Sequence, residues 1–293
     1  MNKENNEKDL PKEGKWKRFV DKYIRISIYE MVLAGIFVGL FIISGLFINI
    51  KIQGVMNVGI TFIFLIIFGL IFGPVKGVFI ALIADTITLS LGKYGIGAWM
   101  WEYEIITVGI PIMAWLFKHM FNTKQKNWWI SMIVVNLIAI MGVLAVIIIS
   151  YDNPLIHKAS KKTLKFDTNT QIMIYTISGL FAFIQLGMFI LYGFKKNENL
   201  KLLISITTLV TMIIIVWIWI WGPIAYVRFL QRLSNQGHSR YPTSHYTYER
   251  YYQIALWARI LKTPIIIPIY VSILIPLYKA CELTVNKFEK NKY

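Results

Sequence analysis

Within the stretch ARILKTPIIIPIY, residues 258–270, two cations, Arg259 and Lys262, sit in an otherwise apolar run. At i and i+3 they share one helix face. A cation near the centre of a bilayer costs about 2.5–3.5 kcal/mol on insertion scales. Counted from a helix start near residue 252, the pair lies about 10–17 Å deep at ~1.5 Å per residue. That is too deep for both side chains to snorkel to the outer surface. Two compensations are open. One is a buried pair with Asp85 or a glutamate. The other is a wet cavity, open to the outside, in which the cations hold a carboxylate or a polar heterocycle. Arg would then offer a planar fork and Lys a point charge.

Other residues in apolar surroundings could join them. The acids are Asp85, Glu102 and Glu104; Trp99, Trp101 and both glutamates lie in GKYGIGAWMWEYE, and Trp217, Trp219 and Trp221 close a later apolar span. A single Trp there reads as an interfacial anchor. Several around one cavity could grip a flat ring at about 0.5–1.5 kcal/mol per stacked pair beyond area burial. Cations and aromatic faces together suit a planar ring system bearing acid groups. Catalysis is a poorer fit. A membrane enzyme needs several polar groups at one interface, and Asp85, Glu102 and Glu104 are all that the spans supply. No catalytic residue is assigned. His119, His157, His238 and His245 show no metal-ligand spacing, and Gly14-Lys15 and Gly92-Lys93 lack the rest of a P-loop.

The elements that position these residues are membrane spans. The chain has 293 residues, 56% of them hydrophobic, gathered in long blocks; soluble domains are nearer ~45–50% apolar. An all-α, polytopic helical bundle follows. Spans of about 20 residues fit 26–48, 58–73, 75–91, 103–120, 129–150, 171–193, 201–222 and 252–279, about eight in all. Pro74, flanked by Gly73 and Gly77, predicts a tight turn or break between the second and third. Residues 1–25 lack the features of a secretory signal, so the first span is expected to remain as an anchor. Gly35 and Gly39, one turn apart, would let another helix approach closely.

The net charge is +16, spread between apolar spans, which speaks for lipid contact and topology rather than nucleic acid. Placing both termini in the cytoplasm puts Lys118, Lys124 and Lys126, and then Lys195, Lys196 and Lys201, inside. Two basic segments then fall outside: 151–170, with Lys158, Lys161, Lys162 and Lys165, and 223–250, with Arg228, Arg232, Arg240 and Arg250. Attraction of an anionic solute is one reading of them. Cys281 is the single cysteine, so no intrachain disulfide is possible.

FGPVKGVFIALIADTI, residues 72–87, resembles the Gly-Pro…Gly…Asp signature of substrate-binding S components of energy-coupling factor (ECF) vitamin transporters. LGKYGIGAW, residues 91–99, is similar to the loop that follows in that family. VTMIIIVWIWIWG, 210–222, is similar to its fifth helix, and ARILKTPIIIPIY to the Arg-x-x-Lys…Pro pattern of folate-type members.

The resemblance implies a six-helix core with an inserted transmembrane hairpin. Residues 1–25 would be a cytoplasmic tail and 26–121 the first four membrane helices. The insertion would span 122–198, and the last two core helices 199–281 with an outer loop at 223–250. Residues 282–293 would form a second cytoplasmic tail. It implies a multi-pass protein of the plasma membrane, which binds a vitamin, folate on the last-helix match, at its outer face without covalent attachment. Partners would be a transmembrane scaffold subunit and two cytoplasmic ATPases, which alone use ATP. Rotation of the whole chain would carry the site inward. The scaffold-facing patch would be Ala34, Gly35, Val38 and Gly39, where the family shows Ala-x-x-x-Ala. The expected ligand site comprises Arg259, Lys262, Asp85, Trp99, Trp101, Glu102, Trp219 and Trp221. Nanomolar affinity needs about −12 kcal/mol, so lids are expected at 91–98 and 223–250.

Overall fold

A computed structural model describes residues 25–47, 49–52, 56–92, 95–121, 128–151, 168–235 and 248–290. Helix α1, Ile28–Phe47, opens with a reciprocal cap. The Glu30 amide donates to Ser27 Oγ at 3.1 Å, and the Ser27 amide donates to Glu30 Oε2 at 2.7 Å. Two donors that the helix start leaves orphaned are thereby satisfied. A short antiparallel hairpin follows, β1 (Asn49–Ile52) with β2 (Met56–Gly59), in the register Asn49↔Gly59. Its closing carbonyl, that of Gly59, accepts a 2.6 Å hydrogen bond from the Tyr270 hydroxyl.

Helix α2, Thr61–Leu91, is two arms, 61–72 and 74–91, joined at Gly73, whose φ of 84° and ψ of −172° are not helical. That backbone conformation is open to glycine, and Pro74 suits the start of the second arm, where a missing N–H costs nothing. The arms fold back on each other. A Cβ added to Gly77 would stand 2.5 Å from the Phe68 carbonyl oxygen, although nine residues of continuous helix span about 13 Å. The expected break at Pro74 is thus a full reversal.

The first arm is the centre of the bundle. Ile63, Ile66, Ile67, Phe68 and Leu70 are wholly buried, as expected of a helix that is apolar all round. Its 12 residues reach only about 18 Å, which is tolerable because protein rather than lipid surrounds its ends. Gly69 packs against α3, Trp101–Phe121, so closely that an added Cβ would fall 2.1 Å from the Pro111 carbonyl oxygen.

Helices α4 (Trp128–Tyr151) and α5 (Thr168–Lys195) occupy the stretch expected to be an inserted hairpin. Both dock on α6, Glu198–Ile213, through buried polar contacts. Asn136 Nδ2 donates to Thr208 Oγ1 at 3.2 Å, and Gln185 Nε2 donates to Thr211 Oγ1 at 3.3 Å. Such bonds between apolar helices are worth about 0.6 kcal/mol on average in a membrane.

Helix α6 runs into a widened π-helical segment, Ile214–Trp221, and then into α7, Gly222–Asn235. Helix α8 is Tyr248–Lys290. Residues 223–250 are therefore not an outer loop: only 236–247 lie outside the described residues, and the rest is helical. The reason is periodicity. Ala225 and Val227 are buried, while Arg228 and Arg232, at i and i+4, are exposed on one face. The basic residues make α7 amphipathic rather than irregular.

Among the described residues, five helical stretches are long and apolar enough to cross a membrane: Ile28–Phe47, Thr61–Leu91, Tyr175–Lys195, Glu198–Asn235 and Ala258–Thr284. The chain is an all-α, multi-pass membrane protein. The second and third expected spans both lie in α2. The lysines at 158–165, Arg240, residues 1–24 and residues 291–293 lie outside the described residues, whereas 282–290, expected as a tail, continue α8.

Candidate functional site

Five pieces of chain meet near one end of the bundle: the far end of the second α2 arm, the turn at 95–99, the first turn of α3, the junction of the π segment with α7, and α8 at Arg259. Arg259 is held by carbonyls. Its Nη1 donates to Ala255 O at 2.9 Å, one turn back in its own helix, and its Nη2 donates to Gly222 O at 3.2 Å. Gly222 makes room for this, since an added Cβ would lie 3.0 Å from Arg259 Nε. The guanidinium also stands over the Tyr226 ring, 5.7 Å from its centroid, within cation–π range. Tyr103 and Tyr252 are further neighbours. Among the described residues no carboxylate pairs with Arg259. The buried acid–base pair considered from sequence is not what stabilises this cation; carbonyl dipoles and phenol rings do. Lys262, one turn on, is partly buried within the field of Arg259.

The tryptophans divide by role. Trp219 is 4% exposed, and its Nε1 donates to Thr263 Oγ1 at 2.9 Å; Thr263 Oγ1 in turn donates to Arg259 O at 3.1 Å. Trp219 thus braces the turn of α8 that carries Arg259. Trp221 Nε1 donates to Glu102 O at 2.7 Å, tying the π segment to the start of α3. Trp217 lies flat on Gly109, where an added Cβ would fall 2.0 Å from Cζ2. Eight residues in π-helical form, including three tryptophans, let Trp219 and Trp221 reach different partners. Such widened turns often mark functional sites. Trp99 and Trp101 are different: they are 43% and 56% exposed. The Trp99 carbonyl accepts from Arg232 Nη1 at 2.7 Å, which ties the 95–99 turn to α7.

The acids cluster at the start of α3. Glu102 and Glu104 are buried, at 7% and 8% exposure. Both carboxyl oxygens of Glu104 are sealed and without a hydrogen-bond partner. Asp85, across on α2, and the Trp99 indole both lie within hydrogen-bonding reach of it, although neither contact meets strict hydrogen-bond distance and angle. Among the described residues no group of three His, Cys, Asp or Glu could hold a metal ion.

The structure therefore places Arg259, Lys262, Trp219 and Trp221 around one junction, and Asp85, Glu102 and Trp99 beside it. Trp101 stands apart, facing outward. Sequence reasoning did not assign Tyr103, Tyr226, Tyr252, Gly222 or Thr263 to the site. Tyr252 was within reach of a pattern, lying two helical turns before Arg259 on the same face. Tyr226 was not, because α7 was read as a loop. The patch on α1 splits in two. Ala34 and Val38 pack against the core, whereas Gly35 and Gly39 have no other atoms within 4 Å of an added Cβ.

A family model described as ECF-type riboflavin transporter, S component, matches residues 25–191. The matched residues include α1 to α4 and nearly all of α5; they stop short of α6, α7 and α8. Two proteins of Streptococcus thermophilus strains, each described as a UPF0397 protein, are 33% identical over 120 residues. Those alignments cover 40% of this chain and 64% of each relative, just under two thirds of their length. A Mycoplasma pneumoniae protein described as an uncharacterized MG313 homolog is 23% identical over 273 residues, 88% of this chain and 91% of the relative. No solved structure matches.

Proposed function

We infer function from membership: the chain belongs to the ECF-type riboflavin transporter S component family, a family of transporter subunits rather than enzymes. We propose that it captures a flat vitamin at the outer face of the membrane and delivers it inward. A scaffold subunit and two cytoplasmic ATPases would supply the energy. Both termini lie in the cytoplasm in this reading, which sets the Arg259 junction toward the outside. Gly35 and Gly39 give the scaffold a face of α1 that the described residues leave uncovered.

One observation carries the site. Arg259 is kept charged inside an apolar bundle by carbonyls and a phenol ring, with no carboxylate neutralising it among the described residues. Its charge remains available to a ligand. Trp99, 43% exposed, supplies a ring face near the mouth, while Trp219 and Trp221 position the floor.

The first ligand is riboflavin, after the family description. Folate is the second reading. It is favoured by Arg259 and Lys262, which lie on α8 outside the matched residues, and whose paired cations suit an acid-bearing ligand better than a neutral flavin. Purification of the intact protein in mild detergent, with mass spectrometry of what comes with it, tests the proposal. A bound flavin or folate together with two ATPases is the expected result. A preparation that retains neither, and that binds neither vitamin when it is added, would overturn it.

A further inference from the structure

We propose that the Asp85–Glu104 carboxyl pair receives the N–H donor edge of a flat heterocyclic ligand. The pair joins the second arm of α2 to the first turn of α3, and Trp99 is a neighbour of Glu104. Both Glu104 oxygens are buried without a donor. A buried acceptor left without a donor loses the water it gave up on folding, and a carboxyl beside a second carboxyl adds repulsion. The chain has cations close by and does not use them here. Arg259 is taken up by the Ala255 and Gly222 carbonyls, and Arg232 by the Trp99 carbonyl. At the other end of the same α2 arm the opposite choice is made: Lys76 meets Glu30 directly, at 2.9 and 3.0 Å.

Glu104 is 8% exposed. Its neighbour Trp99 is 43% exposed at the end of a short turn whose Gly95 has φ +60°. Two side-by-side carboxyls match the amino group and ring N–H of a pterin edge, whereas the single imide N–H of a flavin, set between two carbonyls, can use only one of them. With Arg259 and Lys262 on α8, the junction then offers carboxyls from α2 and α3 and cations from α8. This deepens the vitamin-binding reading and rests on it.

The test uses the full chain in detergent, titrated by calorimetry with riboflavin, 3-methylriboflavin, folate and a 2-desamino-2-methyl folate analogue. In each pair the second probe lacks one donor. Wild-type protein should bind one parent vitamin about 10- to 100-fold more tightly than its donor-deleted partner, the range for a charge-assisted hydrogen bond. Glu104→Gln and Asp85→Asn should each collapse that ratio toward one by weakening only the parent. Whichever pair responds identifies the ring. If both variants weaken the two members of a pair equally, or lower the unfolding temperature without changing the ratio, the carboxyls are structural and the inference fails alone. If wild-type protein binds none of the four, the vitamin reading fails and takes this one with it.

Discussion

The two ends of α2 treat charge in opposite ways. Near the start of the second arm, Lys76 is 6% exposed and meets Glu30 at 2.9 Å, and Glu30 also caps α1. Near the far end, Asp85 stands beside Glu104, while Arg259 on α8 is held by carbonyls and the Tyr226 ring. Lys76 and Asp85 are about 14 Å apart along one helix, so the bundle could have treated them alike. Where a charge serves only to join α1 to the α2 reversal, it is matched within the chain. A membrane interior makes separation of charges of both signs costly, and the proposed function gives that separation a use.

Breaking the matched end should have the largest effect. Lys76→Met leaves the Glu30 carboxylate without its partner, and loss of one member of a mostly buried pair costs about 3–5 kcal/mol. The thermal unfolding midpoint of the detergent-solubilised protein should fall by several degrees. The double variant Glu30→Gln, Lys76→Met should recover much of that loss. An unchanged midpoint in the single variant would remove the contrast between the two ends.

Arg259→Ala probes the separated end. It should weaken binding of riboflavin or folate by about 10- to 100-fold, the range for a lost hydrogen bond to a charged group, with little change in membrane abundance. Titration and immunoblotting of membrane fractions read the two quantities. Normal binding with loss of the protein from the membrane would make Arg259 a structural cation.

The smallest effect sharpens the comparison. Thr263→Val removes the acceptor of the Trp219 indole N–H and leaves that donor buried, at about 1–2 kcal/mol. Because Thr263 also contacts the Arg259 carbonyl, ligand affinity should fall several-fold along with stability. A stability loss with affinity intact would separate Trp219 from the site.

Much of this architecture was legible. The apolar blocks mark the helices, and Gly73-Pro74 marks the reversal because one residue needs an unusual φ and the next lacks a donor. The β1–β2 hairpin was missed, as its four-residue strands lie between two strong helical runs. Helix α7 was misread because its arginines look like a polar loop until they are placed at i and i+4 on one face. The tryptophan row was half legible. Its residues read as ring faces for a ligand, but the indole nitrogens of Trp219 and Trp221 bind Thr263 and Glu102.

The sequence alone determined that this chain lies in a membrane, roughly where its apolar helices run and which few residues carry charge into them. Those properties depend on composition and on spacing along the chain, which local physics can read. The tertiary structure alone decided which charges meet. Lys76 finds Glu30 across 46 positions, and Trp221 finds the Glu102 carbonyl across 119. Pairing depends on distance through space, and an α-helical bundle sets those distances only when all of its helices have packed.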